Sequence, residues 1–481
     1  MDNPWATFGT DLHLELTGSR ISAALERSLR DAVRSGRLTP GTRLPSSRSL
    51  AVDLGIARNT VADAYGQLVA EGWLNARRGS GTRVADRVAR TAPQPEPSAE
   101  PSPIVYDLRP GSPDLSAFPR SAWLSAVRRG LANAPSEALG YGDRGGRPEL
   151  RRALATYLGR ARGVHADPAR VFVCTGATQA ISLLCAALKA GGAGTIALES
   201  PGFHIFGEIV SAAGLAVAPL PVDVGGADIG ELRATGADAV LLAPTHQFPT
   251  GVALSPGRRA AAVDWARDTG GVVIEDDYDA EFRYDRQPIG ALQGLDPESI
   301  VYVGTASKSL APGLRLGWMV LPTWLVGPVT AAKTATDLQT GAFEQLALAE
   351  FIESGAFDRH VRSSRLRYRH RRDRLVAVLA DRAPSVRVSG IAAGLHALLR
   401  LPGGLRAADE PAVLEYAASR GLAVWGLDGC RLVPDVDAPA ALVVGYGTPP
   451  DHAYAGALDA LGDVLRRAPS LSRAPTRPRT R

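Results

Sequence analysis

The sequence predicts a multidomain protein, in which a small N-terminal head of helices and one β-hairpin precedes a large α/β body. Three observations support this fold class. The chain has 481 residues, several times the length of a typical domain. A proline-rich stretch, TAPQPEPSAEPSP at 91–103, separates two regions of different composition. Beyond it, β-like apolar runs alternate with helical stretches, which is typical of a mostly parallel sheet covered by helices.

The composition excludes several classes of protein. Apolar residues make up 45% and charged residues 21% of the chain, as in ordinary globular proteins and unlike disordered or fibrous ones. The longest apolar run, 180–188, is too short to span a bilayer, and residues 1–5 do not resemble a signal peptide. We therefore expect a cytoplasmic protein without a membrane partner. The three cysteines have neither metal-ligand spacing nor an even count, which predicts buried thiols and no metal site: Cys174, Cys185 and Cys430.

Positive charge is concentrated at the two ends of the chain. Residues 1–90 contain 13 Arg, no Lys and 9 acidic residues, and residues 469–481 add four Arg and no acid. Because the whole chain carries +5, the long middle is mildly negative. A basic head on an acidic body favours nucleic acid as a partner, although charge alone is also compatible with a solvated surface. The few lysines limit amine chemistry to three candidates: Lys189, Lys308 and Lys333.

The head has the helix-capping and turn residues typical of a helix-turn-helix followed by a β-hairpin. Apolar residues recur at helical spacing from 21 to 33, and Gly36 ends that helix. Ser46 is predicted to cap the next helix, with Pro45 in its first-turn region, and Gly55 permits the turn into the following one. That helix begins near Arg58, and a glycine-rich, basic hairpin follows at 73–84.

Three strings between residues 36 and 82 carry a family resemblance: GxLxPGxRLPSxRxLA, LGxxRxTVxxAY and LxxEGWLxxRxGSGT. Over essentially its whole length, the head resembles the GntR-type winged helix. Taken singly, each arginine favours a surface charge, but together they lie on a helix-turn-helix and its wing, which makes that simpler interpretation weak. The resemblance implies that operator DNA is contacted by six residues: Arg48, Arg58, Asn59, Thr60, Arg78 and Gly79.

Three stretches of the body carry the residues suited to chemistry. The first, VFVCTGATQ at 171–179, is a strand that turns into a helix whose N-terminus can approach a phosphate. The second, at 272–283, is an apolar strand that delivers Asp276 and Asp277 at its end, where ligands bind in open α/β sheets. The third, at 303–318, places Lys308 after another strand, with hydroxyls before it and Arg315 seven residues on. The hydroxyls and the guanidinium are suited to binding a phosphate, and the lysine amine is suited to combining with an aldehyde.

Simpler interpretations exist for each residue. Lys308 is also compatible with a surface lysine, Asp276 with a metal ligand or a salt-bridge partner, and Arg315 with an ordinary ion pair. Asp276 and Asp277 together are compatible with Mg²⁺, but no further acidic or Walker-type motif supports a metal. The joint spacing of the three stretches favours a single cofactor site.

From about 106 to 465 the body resembles fold-type I pyridoxal phosphate (PLP) enzymes of the aminotransferase class, with a large parallel-sheet lobe and a smaller α+β lobe. The resemblance implies that Lys308 forms the Schiff base with PLP and that Asp276 pairs with the pyridine nitrogen. It also implies that Tyr141 reaches the phosphate of a neighbouring subunit in a homodimer. The implied cofactor-binding set is Ala177, Thr178, Phe203, Asp276, Tyr278, Thr305, Ser307, Lys308, Arg315 and Tyr141.

The body departs from working aminotransferases in two places. The turn that usually reads NPTG is HQFPTG, so Phe248 stands where an asparagine normally contacts the ring hydroxyl. The strand near 442–446 lacks the arginine that commonly binds a substrate carboxylate. Arg431 lies nearby in sequence and is compatible either with that role or with a surface position.

Head and body together resemble the MocR subfamily of bacterial regulators. The expected domains are a DNA-binding head at 12–86, a linker at 87–105, a PLP-binding body at 106–467 and a basic disordered tail at 468–481. The resemblance implies a transcriptional regulator that senses PLP or a PLP–amine aldimine. The alternatives are an active aminotransferase with an accessory DNA-binding head, and a PLP reservoir or structural dimer. The sequence leaves the effector open among PLP itself, γ-aminobutyrate, taurine and other amines.

Overall fold

The computed structural model describes residues 21–77, 81–86, 104–284 and 289–471. It divides the chain into two compact units at residue 101. Several sequence predictions lie outside the described residues, namely those for residues 1–5, the stretch 91–103, Arg78, Gly79 and the four arginines of the tail.

The head consists of three helices and a hairpin around a small apolar core. Gly55 ends α2 with a φ of 65°, and the Ser46 hydroxyl accepts a hydrogen bond from the Ser49 amide at 3.1 Å, so both predictions are confirmed. Pro45 precedes the N-cap, so its predicted place in the first turn is wrong. The elements are α1 Ile21–Arg34, α2 Ser47–Leu54, α3 Arg58–Ala70, β1 Leu74–Arg77 and β2 Gly81–Val84. The core includes Leu25, Leu29, Leu50, Val61 and Leu68.

The large lobe of the body is built on an eight-stranded sheet in the order β4-β11-β10-β9-β8-β5-β6-β7. Strands β10, β9, β8, β5 and β6 run parallel, whereas β11 and β7 are antiparallel to their neighbours, so the prediction of a mostly parallel sheet is confirmed. After β3 Tyr106–Asp107, the strands are β4 Val171–Cys174, β5 Thr195–Ser200, β6 Ala216–Asp223, β7 Gly226–Ala227, β8 Ala239–Leu242, β9 Val272–Asp276, β10 Ile300–Thr305 and β11 Gly317–Val320.

Helices cover this sheet and its apolar strands. The cysteines at 174, 185 and 430 are buried with free thiols, as predicted. The helices of the large lobe are α4 Arg120–Ala132, α5 Pro148–Arg162, α6 Gly176–Ala190, α7 His204–Ala212, α8 Ile229–Leu232, α9 Pro256–Thr269, α10 Thr323–Thr336 and α11 Ala342–Glu353. Within the described ranges, none of the helices combines the length and apolar composition needed to cross a bilayer.

The smaller lobe has a four-stranded antiparallel sheet in the order β12-β13-β16-β15, and a short strand β14 that pairs with β3. The single long helix predicted at 343–379 is wrong, because Gly355 takes a φ of 70° and separates α11 from α12. The elements of this lobe are α12 Ala356–Arg382, β12 Arg387–Ser389, β13 His396–Arg400, α13 Glu410–Ser419, β14 Leu422–Ala423, β15 Trp425–Gly426, β16 Ala441–Gly445 and α14 Asp451–Arg467.

A buried arginine on α12 connects the smaller lobe to the start of the body. The Arg371 side chain is 2% exposed, and its guanidinium donates to Asp114 Oδ2 and to the Pro449 carbonyl, both at 2.7 Å. It also pairs with the carboxylate of Asp451. Because Asp114 is buried as well, removal of the guanidinium would leave a carboxylate without its cationic partner.

We expect Arg371→Met to lower the free energy of unfolding by about 3–5 kcal/mol, since it breaks a buried ion pair on one side. Urea denaturation followed by circular dichroism measures the change. The matched control is Arg382→Met, which removes a more exposed pair with Asp459 and should cost less than about 1 kcal/mol. Equal effects of the two substitutions would contradict this account.

Candidate cofactor and DNA-binding sites

A pocket of about 470 Å³ lies where β4, β9 and β10 end. Its volume is in the range usual for small-molecule sites. Of the ten residues expected to bind the cofactor, Tyr141 does not line the pocket of its own chain, since it lies on the surface and is 86% exposed. The other nine do line it: Ala177, Thr178, Phe203, Asp276, Tyr278, Thr305, Ser307, Lys308 and Arg315.

One end of the pocket is suited to an anion. Helix α6 begins there, and no side chain caps it at Thr175, so its first-turn amides are available. Arg315 holds its position by donating from Nη2 to the Thr175 carbonyl at 2.9 Å. A Cβ at Gly176 would lie 3.3 Å from that guanidinium, so glycine permits the close approach. The Thr305 and Ser307 hydroxyls, 2.9 Å apart, supply further polar groups.

Asp276 lies at the end of β9, and its carboxylate needs a cation or a hydrogen-bond donor as a partner. The Asp276 carboxylate is buried, and its Oδ1 has no hydrogen-bond partner among the described residues. Burial raises the pKa of Asp276 to about 7, although the nearby Lys308 acts in the other direction. A buried carboxylate in this state is stabilised by a ligand that offers a positively charged N–H group.

The adjacent carboxylate is already satisfied elsewhere. Asp277 forms a buried ion pair with Arg162, in which Nε and Oδ2 are 2.8 Å apart, and it also accepts from the Tyr302 hydroxyl at 2.8 Å. Asp277 is therefore bound to Arg162 and Tyr302, whereas Asp276 lines the pocket, and their joint use for Mg²⁺ finds no support in this geometry.

Lys308 brings a primary amine into the same pocket. Its Nζ donates to the Gly111 carbonyl at 2.6 Å. Burial lowers the pKa of Lys308, while Asp276 and Asp279 oppose that shift. A lowered pKa increases the neutral fraction of the amine, which is the nucleophilic form.

These groups together fit PLP. The first turn of α6 and Arg315 would hold the phosphate, the unsatisfied Asp276 oxygen would accept from the pyridine nitrogen, and Lys308 would supply the amine. When bound, PLP supplies an aldehyde that combines with primary amines and a ring that withdraws electrons. Phe203 lines the pocket beside Phe248, with 5.8 Å between the ring centroids, and offers a flat surface for the ring.

A polar cluster beside Tyr278 was not found from the sequence. The Tyr278 hydroxyl donates to the His246 carbonyl at 2.9 Å, and His246 Nδ1 lies 2.9 Å from Asp279 Oδ2. His396, from β13 of the smaller lobe, stacks near His246 and faces the pocket. Burial lowers the pKa of His396 well below its usual value, and His246 and Lys308 act in the same direction. The sequence signal for this cluster is weak, because its members come from distant segments.

The arginine proposed to replace a carboxylate-binding residue lies elsewhere. Arg431 does not line the pocket, and its nearest acidic partner is Asp428, with Nε and Oδ1 3.7 Å apart. The pocket instead contains Arg109, which the sequence did not single out.

The head presents a separate candidate surface at the start of α3. Arg58 and Asn59 are exposed, Thr60 is half-buried, and Ala57 provides no side-chain cap, so free amides lie beside these side chains. Arg48 is exposed on the preceding helix. Arg43 is exposed as well, and a Cβ at Gly81, at the start of β2, would lie 3.1 Å from its Nε. The helix-turn-helix arrangement is suited to reading a DNA groove.

Comparison with known proteins identifies a family for each of the two parts of the chain. Residues 21–84 match the family model of bacterial regulatory proteins, gntR family, and residues 105–409 match that of aminotransferase class I and II. The chain is 33% identical to the HTH-type pyridoxine biosynthesis transcriptional regulator PdxR of Corynebacterium glutamicum, over 92% of this chain and 96% of that protein. It is also 33% identical to the probable rhizopine catabolism regulatory protein MocR of Rhizobium meliloti, over 74% and 76% of the two chains.

The chain belongs to the MocR-type transcriptional regulators. Its gntR-family domain implies DNA binding, and its aminotransferase class I and II domain implies the use of PLP. The fold of the body is that of the Pyrococcus horikoshii kynurenine aminotransferase, with a TM-score of 0.67 over 76% of this chain and 91% of that one, at 24% identity. The predicted fold class is thus confirmed for both parts of this MocR-type chain.

We expect Asp276→Asn to raise the dissociation constant for PLP about 10- to 100-fold, because a charge-assisted hydrogen bond to the ring nitrogen is lost. Titration of the PLP-free protein with PLP, followed by visible absorbance, measures the constant. Asp435→Asn, at an exposed loop position, is the control and should leave the constant unchanged. Equal affinities for Asp276→Asn and the unmodified chain would refute the assignment of Asp276.

We expect Arg58→Ala to weaken binding to a selected operator by about 1–3 kcal/mol, as for loss of a base-edge contact. The operator is first selected from random DNA with the unmodified chain, and affinities are then compared by gel shift. Arg27→Ala, which removes an exposed arginine from α1, serves as the control. Unchanged affinity of the Arg58→Ala variant would reject the role of this residue.

Proposed function

We propose that this regulator senses PLP, or PLP combined with an amine, at Lys308, and that occupancy of the pocket alters its binding to operator DNA. The observation that carries the proposal is the convergence of Lys308, the unsatisfied carboxylate of Asp276 and the open N-terminus of α6 in one pocket. These three features supply an amine, an acceptor and an anion site, which PLP requires together.

In the proposed regulator each protein group has a defined task. Arg315, the α6 amides and the hydroxyls of Thr305 and Ser307 hold the phosphate. The Asp276 carboxylate keeps a proton on the ring nitrogen, and Tyr278, held by the His246 carbonyl, lies near the ring. A ligand shifts the protein between two arrangements only by binding one of them more tightly.

We propose that the functional unit is a homodimer. Helices α4 and α11 pack together, as the close approach of Gly130 to the Leu346 carbonyl shows, and α4 exposes Leu124 and Leu131 while α11 exposes Phe343. Tyr141 is also exposed, in agreement with the idea that it reaches a second copy's pocket. A second copy would remove from water an apolar group of side chains that includes Leu124, Leu131, Leu139, Leu338 and Phe343.

A second candidate function is slow transamination. The set of Lys308, Asp276 and Arg315 is intact in the pocket, which favours this candidate. Purified protein loaded with PLP is mixed with amino acids and an oxo-acid acceptor, and turnover is compared with operator binding. Turnover at the rate of metabolic enzymes, without an effect of PLP on DNA binding, would favour the enzyme.

We expect Lys308→Ala to abolish the effect of PLP on operator affinity, because the covalent link to the chain is lost. DNA binding is measured by gel shift with and without PLP, for the unmodified chain and the variant. Lys189→Ala, at an exposed lysine on α6, is the matched control and should respond as the unmodified chain does. A normal PLP response in Lys308→Ala would overturn the sensing mechanism.

A further inference from the structure

The pocket has a second half that the cofactor-binding residues do not form. This half is lined by Asp107 of β3, by the segment that follows this strand, by Phe248 from the turn after β8 and by residues of the smaller lobe. An effector that combines with PLP would extend into this region, so its chemistry determines which effectors fit. The lining residues of this half are Asp107, Arg109, Gly111, Phe248, His396 and Trp425.

The only guanidinium in this half, among the described residues, is already paired. Arg109 donates from Nε to Asp107 Oδ1 at 2.9 Å and from Nη2 to Oδ2 at 2.6 Å, and its backbone amide donates to Oδ1 at 3.0 Å. The charge of Arg109, which a ligand carboxylate needs, is thereby neutralised within the chain.

Strand pairing and hydrogen bonds to the backbone hold the segment that carries Asp107 and Arg109 in place. Asp107 lies on β3, opposite Ala423 of β14, and the Arg109 carbonyl accepts from the Thr448 hydroxyl at 2.8 Å. The Leu108 carbonyl accepts from the Gly445 amide at 2.7 Å. The fold therefore fixes the backbone positions of Asp107 and Arg109, while their paired side chains are 35% and 46% exposed.

The other side chains that line this half of the pocket are mainly aromatic. The ring of Phe248 lies 5.1 Å from that of His396 and 6.2 Å from that of Trp425. Because the pKa of His396 is lowered, its imidazole is neutral at physiological pH and gives no cation for a carboxylate. A further acid that lines the pocket, Asp279, is hydrogen-bonded through Oδ2 to Nδ1 of His246.

We propose that this half of the pocket selects amines without a carboxylate, and that Asp107 is the specificity-determining residue because it neutralises Arg109. The proposal rests on the proposed function and narrows the class of effector. A ligand carboxylate must either displace Asp107 from Arg109 or lie unpaired near Asp107 and Asp279, where like charges repel it. An apolar amine meets the aromatic wall without either cost.

The test uses matched pairs of amines that differ in one carboxylate: n-butylamine with 4-aminobutyrate, and phenethylamine with phenylalanine. Each is titrated into the full-length, PLP-loaded chain, and binding is followed by the visible spectrum and by calorimetry. The variants are Asp107→Asn, which frees the guanidinium with little change of shape, and the double variant Asp107→Asn with Arg109→Gln, which removes it.

In the unmodified chain we expect the carboxylate-free member of each pair to bind about tenfold more tightly or better, the scale of one charge-assisted hydrogen bond. Asp107→Asn should bring the carboxylate member to within about threefold of its partner, and the double variant should restore the original preference. All three proteins should take up PLP equally.

Equal or tighter binding of the carboxylate members by the unmodified chain would overturn the proposal, as would an unchanged preference in Asp107→Asn. Failure of every amine to bind would overturn it too. In that last case an effect of PLP alone on operator binding would leave the proposed function intact, so the two failures are distinguishable.

Discussion

Asp276 carries a buried carboxylate at the end of β9, with one oxygen that no donor in the described part of the chain satisfies. An unpaired buried charge is costly, and here the raised pKa expresses that cost. The neighbouring Asp277 is held by Arg162 and Tyr302, which fixes the end of the strand and therefore the position of Asp276. The lysine, the anion site and the ring surface are arranged around this carboxylate, so the pocket is complete only with a partner for it.

In the half of the pocket where the rest of a substrate would lie, this protein differs from a metabolic enzyme. Phe248 lines the pocket at the turn where the resemblance to aminotransferases leads one to expect an asparagine, and the guanidinium of Arg109 is paired with Asp107. The cofactor half thus keeps its polar groups, whereas the other half offers mainly aromatic surface. A protein that must hold a small molecule and report its presence needs tight binding, but it has no need to orient a substrate for repeated turnover.

The features that could be predicted from the sequence are those formed by short, continuous segments of the chain. Eight of the nine cofactor residues that line the pocket come from three stretches in which a strand ends and a turn follows, and Phe203 follows β5, so short motifs and the family resemblance they carry were enough to predict them. The helix-turn-helix was found for the same reason. Arg109, His396 and Trp425 were missed because only the packing of distant segments brings them together. The break at Gly355 was missed because a positive φ leaves no mark in an apolar pattern, and the position of Pro45 shows the usual uncertainty at a helix boundary.

The distribution of lysine has a practical consequence for locating this regulator on a genome. Formaldehyde fixation begins with attack by a primary amine, and the guanidinium of arginine is a much weaker nucleophile. Residues 1–90 hold no lysine, Lys333 is enclosed by Gln179, Asp337 and Thr340, and Lys308 lies inside the pocket, so Lys189 on α6 of the body is the one exposed lysine. Chromatin-type fixation should therefore capture this protein on its DNA in poor yield, and footprinting methods that do not depend on amines are the better choice.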